Sequence, residues 1–530
     1  MLGSAGIALI AAAAVGDAKP KFYPDDPLTK EVAPVNVENP KPRKLSDYYD
    51  FFVHNFTDPQ EEQPDSGEPI RAKSTNTVDE VPNGSWYNNR HYYQRMSIEE
   101  LKRGPGDQTP PSPDGPWRVL SAKSEGVTPG FLIQDQKGDR YFLKFDPFSN
   151  PEMATGADVI GSKFFYALGY HTPENYLVSF DESRLEVDDK ARVKDKEGLE
   201  RPMHKRDVSG ILLKAPGRFD GTFRAVASRF LEGKPLGPFR YYKTRSDDPN
   251  DLIPHEHRRE LRGLFVFCAW LHHEDSRAIN TQDMLVTRNG VSSIRHHLID
   301  FGSILGSASD KANSPRSGYE SIFRLKPALA QVFSLGIYVP RWARADFPDI
   351  PAVGRFEYEV WEPERFQDEY PNPAFKNRLP DDTFWAAKQV MAFTDEEIAA
   401  IVSTAQYTDP RATEWITRCL IERRKKVGRE YFSRVLPIDR FTVENGQLTF
   451  EDLAAKYGYP APTPYTFEWS HFDNRTSAKT PLSGANRASV PESDGFLVAD
   501  IKGSKPGQRT SVYLRKKEST WQVVGVERYW

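Results

Sequence analysis

Short runs in which apolar and polar positions alternate with a period of two lie between Trp117 and Leu231 and again after Phe441, and stretches of helical spacing separate them. Trp117–Leu120, Gly130–Ile133 and Tyr141–Phe145 predict three strands, joined by the glycine-bearing stretch Lys123–Gly130 and a turn at Gln136–Asp139. Met153, Ala157, Ile160, Phe164 and Leu168 share one face of a helix that runs from about Pro151 to Leu168 and stops at Gly169. Val208–Leu213 and Phe223–Leu231 predict further strands, and Glu232–Pro238 a break in regular structure. Arg258–Leu271 predicts a strongly apolar helix, and a hairpin follows from Met284 to Ile299 with its turn at Asn289-Gly290. Helices are expected over Asp382–Phe393, 395–405 and 410–434. Ser97-x-x-Glu100 and Thr394-x-x-Glu397 read as capping boxes. From Phe441 onward the alternation predicts an all-β unit, opened by a hairpin with a type I′ turn at Asn445-Gly446.

At 530 residues the chain is too long for one core. The pattern divides it into a leader-like segment 1–18, an extended and partly disordered Pro-rich and acidic lead-in 19–116, a β-rich part 117–235, a helical part 236–440 and the β-sandwich-like unit 441–530. The aromatic cluster Trp86–Tyr93 is expected to dock the lead-in onto the main body. The formal net charge of -4 offers no global attraction to nucleic acid or an anionic membrane, so a nucleic-acid partner is not expected. Cys268 and Cys419 both fall in apolar helical patterns and read as small buried thiols, with neither a disulfide framework nor metal spacing. Met1–Ala18 carries an apolar run from Ile7 to Val15 that is too short to span a bilayer. The run matches the core of a secretory signal peptide, although no Lys or Arg precedes it. A secreted or periplasmic protein with no transmembrane span is therefore expected, with a cytoplasmic location as the alternative.

Chemistry concentrates between Trp270 and Gly302. His273-Glu274-Asp275 is followed by Asn280, an H-x-D-x-x-x-x-N spacing, and Asp300-Phe301-Gly302 closes the hairpin after the apolar pair Leu298-Ile299. Phosphoryl transfer needs these groups: one carboxylate to take the proton of an attacking hydroxyl, and an amide plus a second carboxylate to hold magnesium against the phosphate oxygens. Upstream, Gly126 and Gly130 flank a loop that precedes the strand bearing Lys144, an arrangement in which the backbone approaches phosphates and an ammonium pairs with them. Asp158 on the following helix, or Glu152 at its start, is the acid that would meet Lys144.

On these residues the chain resembles the atypical protein-kinase-like superfamily, with its HipA-like, CotH-like and secretory-pathway kinases, and reads as an exported bacterial member. The resemblance covers roughly 117 to 435. It rests on Gly126/Gly130, Lys144, Ala157-Asp158-Val159-Ile160 with Ala167-Leu168-Gly169-Tyr170 before Pro173, His273-x-Asp275-x4-Asn280 and Asp300-Phe301-Gly302. It implies an α+β, two-lobed kinase-like fold, with a small β-rich N-lobe over 117–235, a helical C-lobe over 236–440 and the all-β unit appended. It also implies an ATP-dependent phosphotransferase using Mg²⁺ or Mn²⁺. Lys144 and Asp158 would form the ion pair that positions the phosphates, Asp275 would be the catalytic base, and Asn280 and Asp300 would bind the metal. The backbone of Phe230, Leu231 and Glu232 would meet the adenine as the hinge, and Ser303–Ser317 would be an activation segment. Three features depart from the family: the helix acid is Asp rather than Glu, Glu274 stands where a basic residue is common, and the secretory kinases' disulfides are absent. The superfamily also holds pseudokinases and enzymes that transfer AMP or act on lipids, so a nucleotide-binding scaffold and such transferases are the alternatives. The acceptor, whether protein, glycan or small molecule, is not encoded in any motif of the chain.

Overall fold

In a computed structural model of the chain, residues 19–60, 67–123, 128–194, 198–321, 339–484 and 486–530 are described. The fold mixes sheets and helices. Between Trp117 and Arg229, seven strands form one sheet: β1 Trp117–Ala122, β2 Gly130–Gln134, β3 Arg140–Phe145, β4 Asn175–Phe180, β5 Leu185–Lys194, β6 Glu200–Pro202 and β7 Phe223–Arg229. Their order is β4-β7-β3-β2-β1-β5-β6, antiparallel throughout except where β1 and β5 run parallel. Tyr141, Leu143 and Phe145 bury into the core of this sheet with Phe131, Ile133 and Ala225. The period of two then puts Lys144 on the opposite face. Its strand is central, so Lys144 lies beside Gly130 on one side and Val226 on the other.

Among the described residues up to Leu271 there are five α-helices: α1 Asp47–Phe56, α2 Ile98–Arg103, α3 Met153–Ala167, α4 Lys205–Leu212 and α5 Arg259–Leu271. Helix α4 corrects the strand expected over Val208–Leu213. Its buried residues are Val208 and Leu212, one helical turn apart, and the Asp207 carboxylate accepts from the N–H of His204, the residue before the helix, at 2.9 Å. Six consecutive positions with one Gly and one Ser are too few to separate the two periods in sequence. The expected break at Glu232–Pro238 likewise contains a strand, β8 Lys234–Gly237, recruited as the edge of a three-stranded sheet with β9 Thr281–Arg288 and β10 Val291–Leu298. The β9–β10 turn has φ of 51° at Asn289 and 78° at Gly290, the type I′ hairpin the dipeptide predicts.

Helix α5 is buried along its whole length. Leu264, Phe267, Cys268 and Trp270 join a core with Trp385, Val390, Leu420 and Val427 from the helices Pro380–Ala392 and Pro410–Tyr431. Ser97 and Thr394 cap their helices as expected, each with the Glu three residues on returning the bond. Cys268 and Cys419 are free and buried. After Leu436, β11 Ile438–Glu444 and β12 Gln447–Asp452 form a hairpin, and β13 Thr466–Phe472, β14 Lys479–Pro481, β15 Phe496–Lys502, β16 Arg509–Lys517 and β17 Thr520–Tyr529 form a five-stranded sheet.

The lead-in packs through isolated anchors. Phe22 enters a cluster with Phe472, Val498 and Tyr513, Trp86 stacks on His296 with ring centroids 3.5 Å apart, and the Tyr87 hydroxyl donates to Gln389 at 2.7 Å. A chain of buried ion pairs fastens it further. Lys388 binds Glu80 and Asp439, Arg528 binds Asp79 and Asp439, and Arg259 binds Asp79, Asp381 and Asp382.

Candidate active site

Three groups far apart in sequence meet at Lys144. Its Nζ lies 3.0 Å from Asp158 Oδ2 and 2.8 Å from Asp300 Oδ1. The acid that meets Lys144 is therefore Asp158; Glu152 turns away, accepting from Thr408 and facing Arg218 and Arg224. Helix α3 holds Asp158 rigidly, since nearly all of that helix is buried. The other Asp158 oxygen accepts from the Phe301 N–H at 3.0 Å and from the Asn175 amide at 3.1 Å. Helix α3 thus fixes the Asp300-Phe301-Gly302 segment. The approach is close: a Cβ at Gly161 would stand 2.5 Å from Phe301 Cβ. Asp300 itself sits at φ 60°, a left-handed conformation rare outside glycine, asparagine and aspartate.

Charge in this cluster is balanced by geometry. Burial alone would push the Lys144 pKa down, but the Asp158 and Asp300 carboxylates outweigh it and hold the ammonium above its ordinary value. Burial raises Asp158 against the pull of Lys144. For Asp300, burial is overcome by Lys144 and then by Lys123, and the carboxyl falls to about 2. Asp300 is thus an anion under all ordinary conditions.

Asp275 lies on the adjoining loop, delivered by the end of α5. One oxygen accepts from the Arg277 Nε and the other from the Ser303 hydroxyl at 3.3 Å, just past Gly302. Burial raises its pKa, with Arg277 opposing. A raised, oriented carboxylate suits a general base. Asn280 donates its amide nitrogen to the Asp275 carbonyl at 2.7 Å, which turns the amide oxygen to the other end of the group. Glu274 accepts from Asn313 and from the Gly318 N–H, and so ties the 303–317 loop to the loop of Asp275.

Gly126 lies outside the described residues. Gly130 opens β2, where a Cβ would stand 2.2 Å from the Leu143 carbonyl oxygen; the close approach of this end of β2 to β3 therefore requires glycine. Lys123 donates to Thr128 across this loop at 2.8 Å. Phe230 and Leu231 are half-buried at the end of β7, where the Phe230 N–H donates to the Arg140 carbonyl at 2.9 Å and its ring stacks on Phe142. Glu232 is exposed and pairs with Arg288 at 2.8 Å.

Sequence reading missed several members. Lys123, Asn175, Ser303 and Arg277 carry no motif of their own, although Arg277 stands inside the spacing that picked out Asp275 and Asn280. Helix α1 was also missed: Asp47 on it accepts from Arg277 at 2.8 Å. Its signal was Ser46, whose hydroxyl accepts from the Tyr49 N–H, followed by Asp47 and Asp50 in the first turn.

Among the described residues no set of three His, Cys, Asp or Glu converges as a metal site. The fit for Mg²⁺ or Mn²⁺ rests on two hard oxygen donors, a carboxylate of Asp300 and the amide of Asn280, as expected where phosphates complete the shell. No described helix is long and apolar enough to cross a membrane.

No family model matches the chain, and no curated protein matches its sequence. Among solved structures it is similar to a Helicobacter pylori proinflammatory kinase, CtkA, at 11% identity and TM-score 0.31, over 60% of this chain and 98% of that one. It is also similar to the Golgi casein kinase at 10% identity and TM-score 0.29, over 63% and 76% of the two chains. The same kinase with Mn/ADP bound gives 10% identity and TM-score 0.27, over 62% and 74%. At these values none of the three carries a function over to this chain.

Proposed function

We propose that this protein is an ATP-dependent phosphotransferase of the atypical kinase kind, acting on a hydroxyl acceptor. The observation that carries the reading is the pair of contacts that Lys144 makes with Asp158 and Asp300, with the Asp275 loop bound to the same segment through Ser303. Magnesium or manganese, held by Asp300 and Asn280, would neutralise charge on the phosphate oxygens. Lys144, positioned by Asp158, pairs with those oxygens, while Gly130 and Gly126 let the backbone come close. The backbone from Phe230 to Glu232 receives the adenine. Asp275 takes the proton of the acceptor hydroxyl. The proposal includes a two-lobed layout, with 117–235 over 236–440, 441–530 as an appended β unit, and export directed by residues 1–18.

The test is a melting-temperature screen of the protein without residues 1–18, against ATP, ADP and AMP with and without Mg²⁺ or Mn²⁺. A metal-dependent rise with ATP supports the reading, and no rise with any nucleotide overturns it. Intact mass of candidate acceptors after incubation then separates phosphate transfer from AMP transfer, and no adduct on any acceptor favours a nucleotide-binding scaffold. Export is checked separately: N-terminal sequencing should find the mature chain starting near Lys19, and an intact Met1 would refute it.

A further inference from the structure

We propose that the cavity between helix α1 and the catalytic loop is the acceptor pocket, and that it takes a small hydroxyl compound carrying a positive charge, of amino-alcohol or amino-sugar size. This rests on the phosphotransferase reading. The cavity has a volume of about 280 Å³, at the small end of ligand pockets. Tyr48, Phe51, Phe52 and Tyr370 give it aromatic walls, and Asp47, Glu369 and Arg277 give it a polar one.

Position argues for the acceptor. Arg277 bonds Asp275 through Nε and Asp47 through Nη1, and lies 3.2 Å from Glu369. Asp275 therefore has two sides. One oxygen meets Ser303 and the segment of Asp300; the other meets Arg277 and, through it, the pocket wall. An acceptor seated in the pocket stands beside Arg277, and its hydroxyl would extend past that guanidinium to lie between Asp275 and the γ-phosphorus, the juxtaposition that transfer requires. Its oxygen would attack the γ-phosphorus of ATP, its proton would pass to Asp275, and the bond from that phosphorus to the bridging oxygen would break, leaving with ADP.

Charge argues for a cation. Two carboxyl groups of the wall, Asp47 and Glu369, share the Arg277 guanidinium with Asp275 behind it, so Arg277 does not neutralise the wall by itself. Burial raises Glu369 to about 7, against the pull of Arg277 and with the help of Asp275, so a cation seated beside it would draw it back to its charged form. Aromatic faces beside that wall suit an ammonium as well. Helix α1 is itself held in place, since the Tyr370 hydroxyl donates to Asp47 at 3.1 Å and His54 Nδ1 lies 2.8 Å from the Pro371 carbonyl.

The experiment is titration calorimetry of the parent chain at pH 7 with glucosamine and ethanolamine, against N-acetylglucosamine and ethylene glycol, and with a seryl peptide flanked by arginines. Each cationic probe should bind at least tenfold tighter than its neutral partner, and Asp47→Asn with Glu369→Gln should abolish the preference. Asp47→Asn alone, at a side chain 44% exposed, provides the same reading if the double variant fails to fold. Equal binding of charged and neutral probes, binding of the peptide alone, binding of none, or a preference that survives in the variants would each overturn the inference. The melting response of the same parent protein to Mg²⁺–ATP is measured beside it. Loss of that response strikes the phosphotransferase reading, whereas loss of the charge preference strikes only the assignment of the pocket.

Discussion

Replacing Lys144 with Ala removes the ammonium shared by Asp158 and Asp300. At 3.0 Å and an effective dielectric constant of about 20, the contact with Asp158 amounts to about 5 kcal/mol of Coulomb attraction before desolvation is set against it. Removing one partner of a buried pair costs about 3–5 kcal/mol, because the other charge stays behind without compensation. Asp158 keeps its bonds from the Phe301 N–H and the Asn175 amide, which places the loss at the low end, about 3 kcal/mol. Asp300 adds little, since its side chain is 38% exposed and water screens it to about 0–1 kcal/mol. The loss depends on pH in a definite direction. Burial already raises Asp158, and without Lys144 its folded pKa rises further. A carboxyl with a raised folded pKa contributes stability that is present at low pH and lost as pH rises. The gap between parent and Lys144→Ala should therefore be full at pH 8 and narrow toward pH 5, read by urea denaturation followed by circular dichroism at each pH. The double variant Lys144→Met, Asp158→Asn, which keeps an amide oxygen to accept from Phe301 and Asn175, should recover most of the loss. A gap of constant size, or a double variant no more stable than the single one, would refute the account of the pair. In the same samples the melting response to Mg²⁺–ATP should disappear.

Asp300→Asn should abolish the metal-dependent part of nucleotide stabilisation, whereas Asp275→Asn should keep Mg²⁺–ATP binding and lower turnover by roughly 10²-fold or more, the scale of a lost general base; equal behaviour of the two in calorimetry and turnover would remove the division of roles. Burial raises Asp275, so the acid limb of the turnover–pH profile should lie above the ordinary carboxylate range, with activity falling as pH drops through it. A limb at or below that range would count against Asp275 as the base. Lys388→Met should destabilise the whole protein by about 3–5 kcal/mol in chemical denaturation, because it leaves Glu80 and Asp439 buried without their shared ammonium.

Much of this protein was legible along the chain because its signals are local. Type I′ turns at Asn289-Gly290 and Asn445-Gly446 follow from the one dipeptide that accepts two positive φ values at low cost. The capping boxes at Ser97 and Thr394, the faces of α3 and α5, and the alternation through β3 likewise depend on residues within a turn or two. The spacing around Asp275, Asn280 and Asp300 was visible for the same reason: Asp275 and Asn280 enter, and Asp300 leaves, one short hairpin. Local pattern failed where a segment was short. In Val208–Leu213 it could not separate a helical face from an alternating one, and in Glu232–Pro238 it could not foresee the pairing of β8 with β9.

The rest was decided in three dimensions, because charge and contact act through space. Sequence left Asp158 and Glu152 as alternatives for Lys144. The burial of α3 against Phe301 chose Asp158, and Arg224 drew Glu152 away. Sequence made residues 19 to 116 an extended lead-in, with no way to show that Asp47 reaches Arg277 across 230 positions. An amphipathic ten-residue helix has little stability by itself, and α1 exists against the body that holds Asp50, His54 and Asp47. The sequence by itself determined which residues are candidates for the chemistry; tertiary packing decided which of them meet, since an ion pair or a pocket wall depends on distances that no local spacing sets.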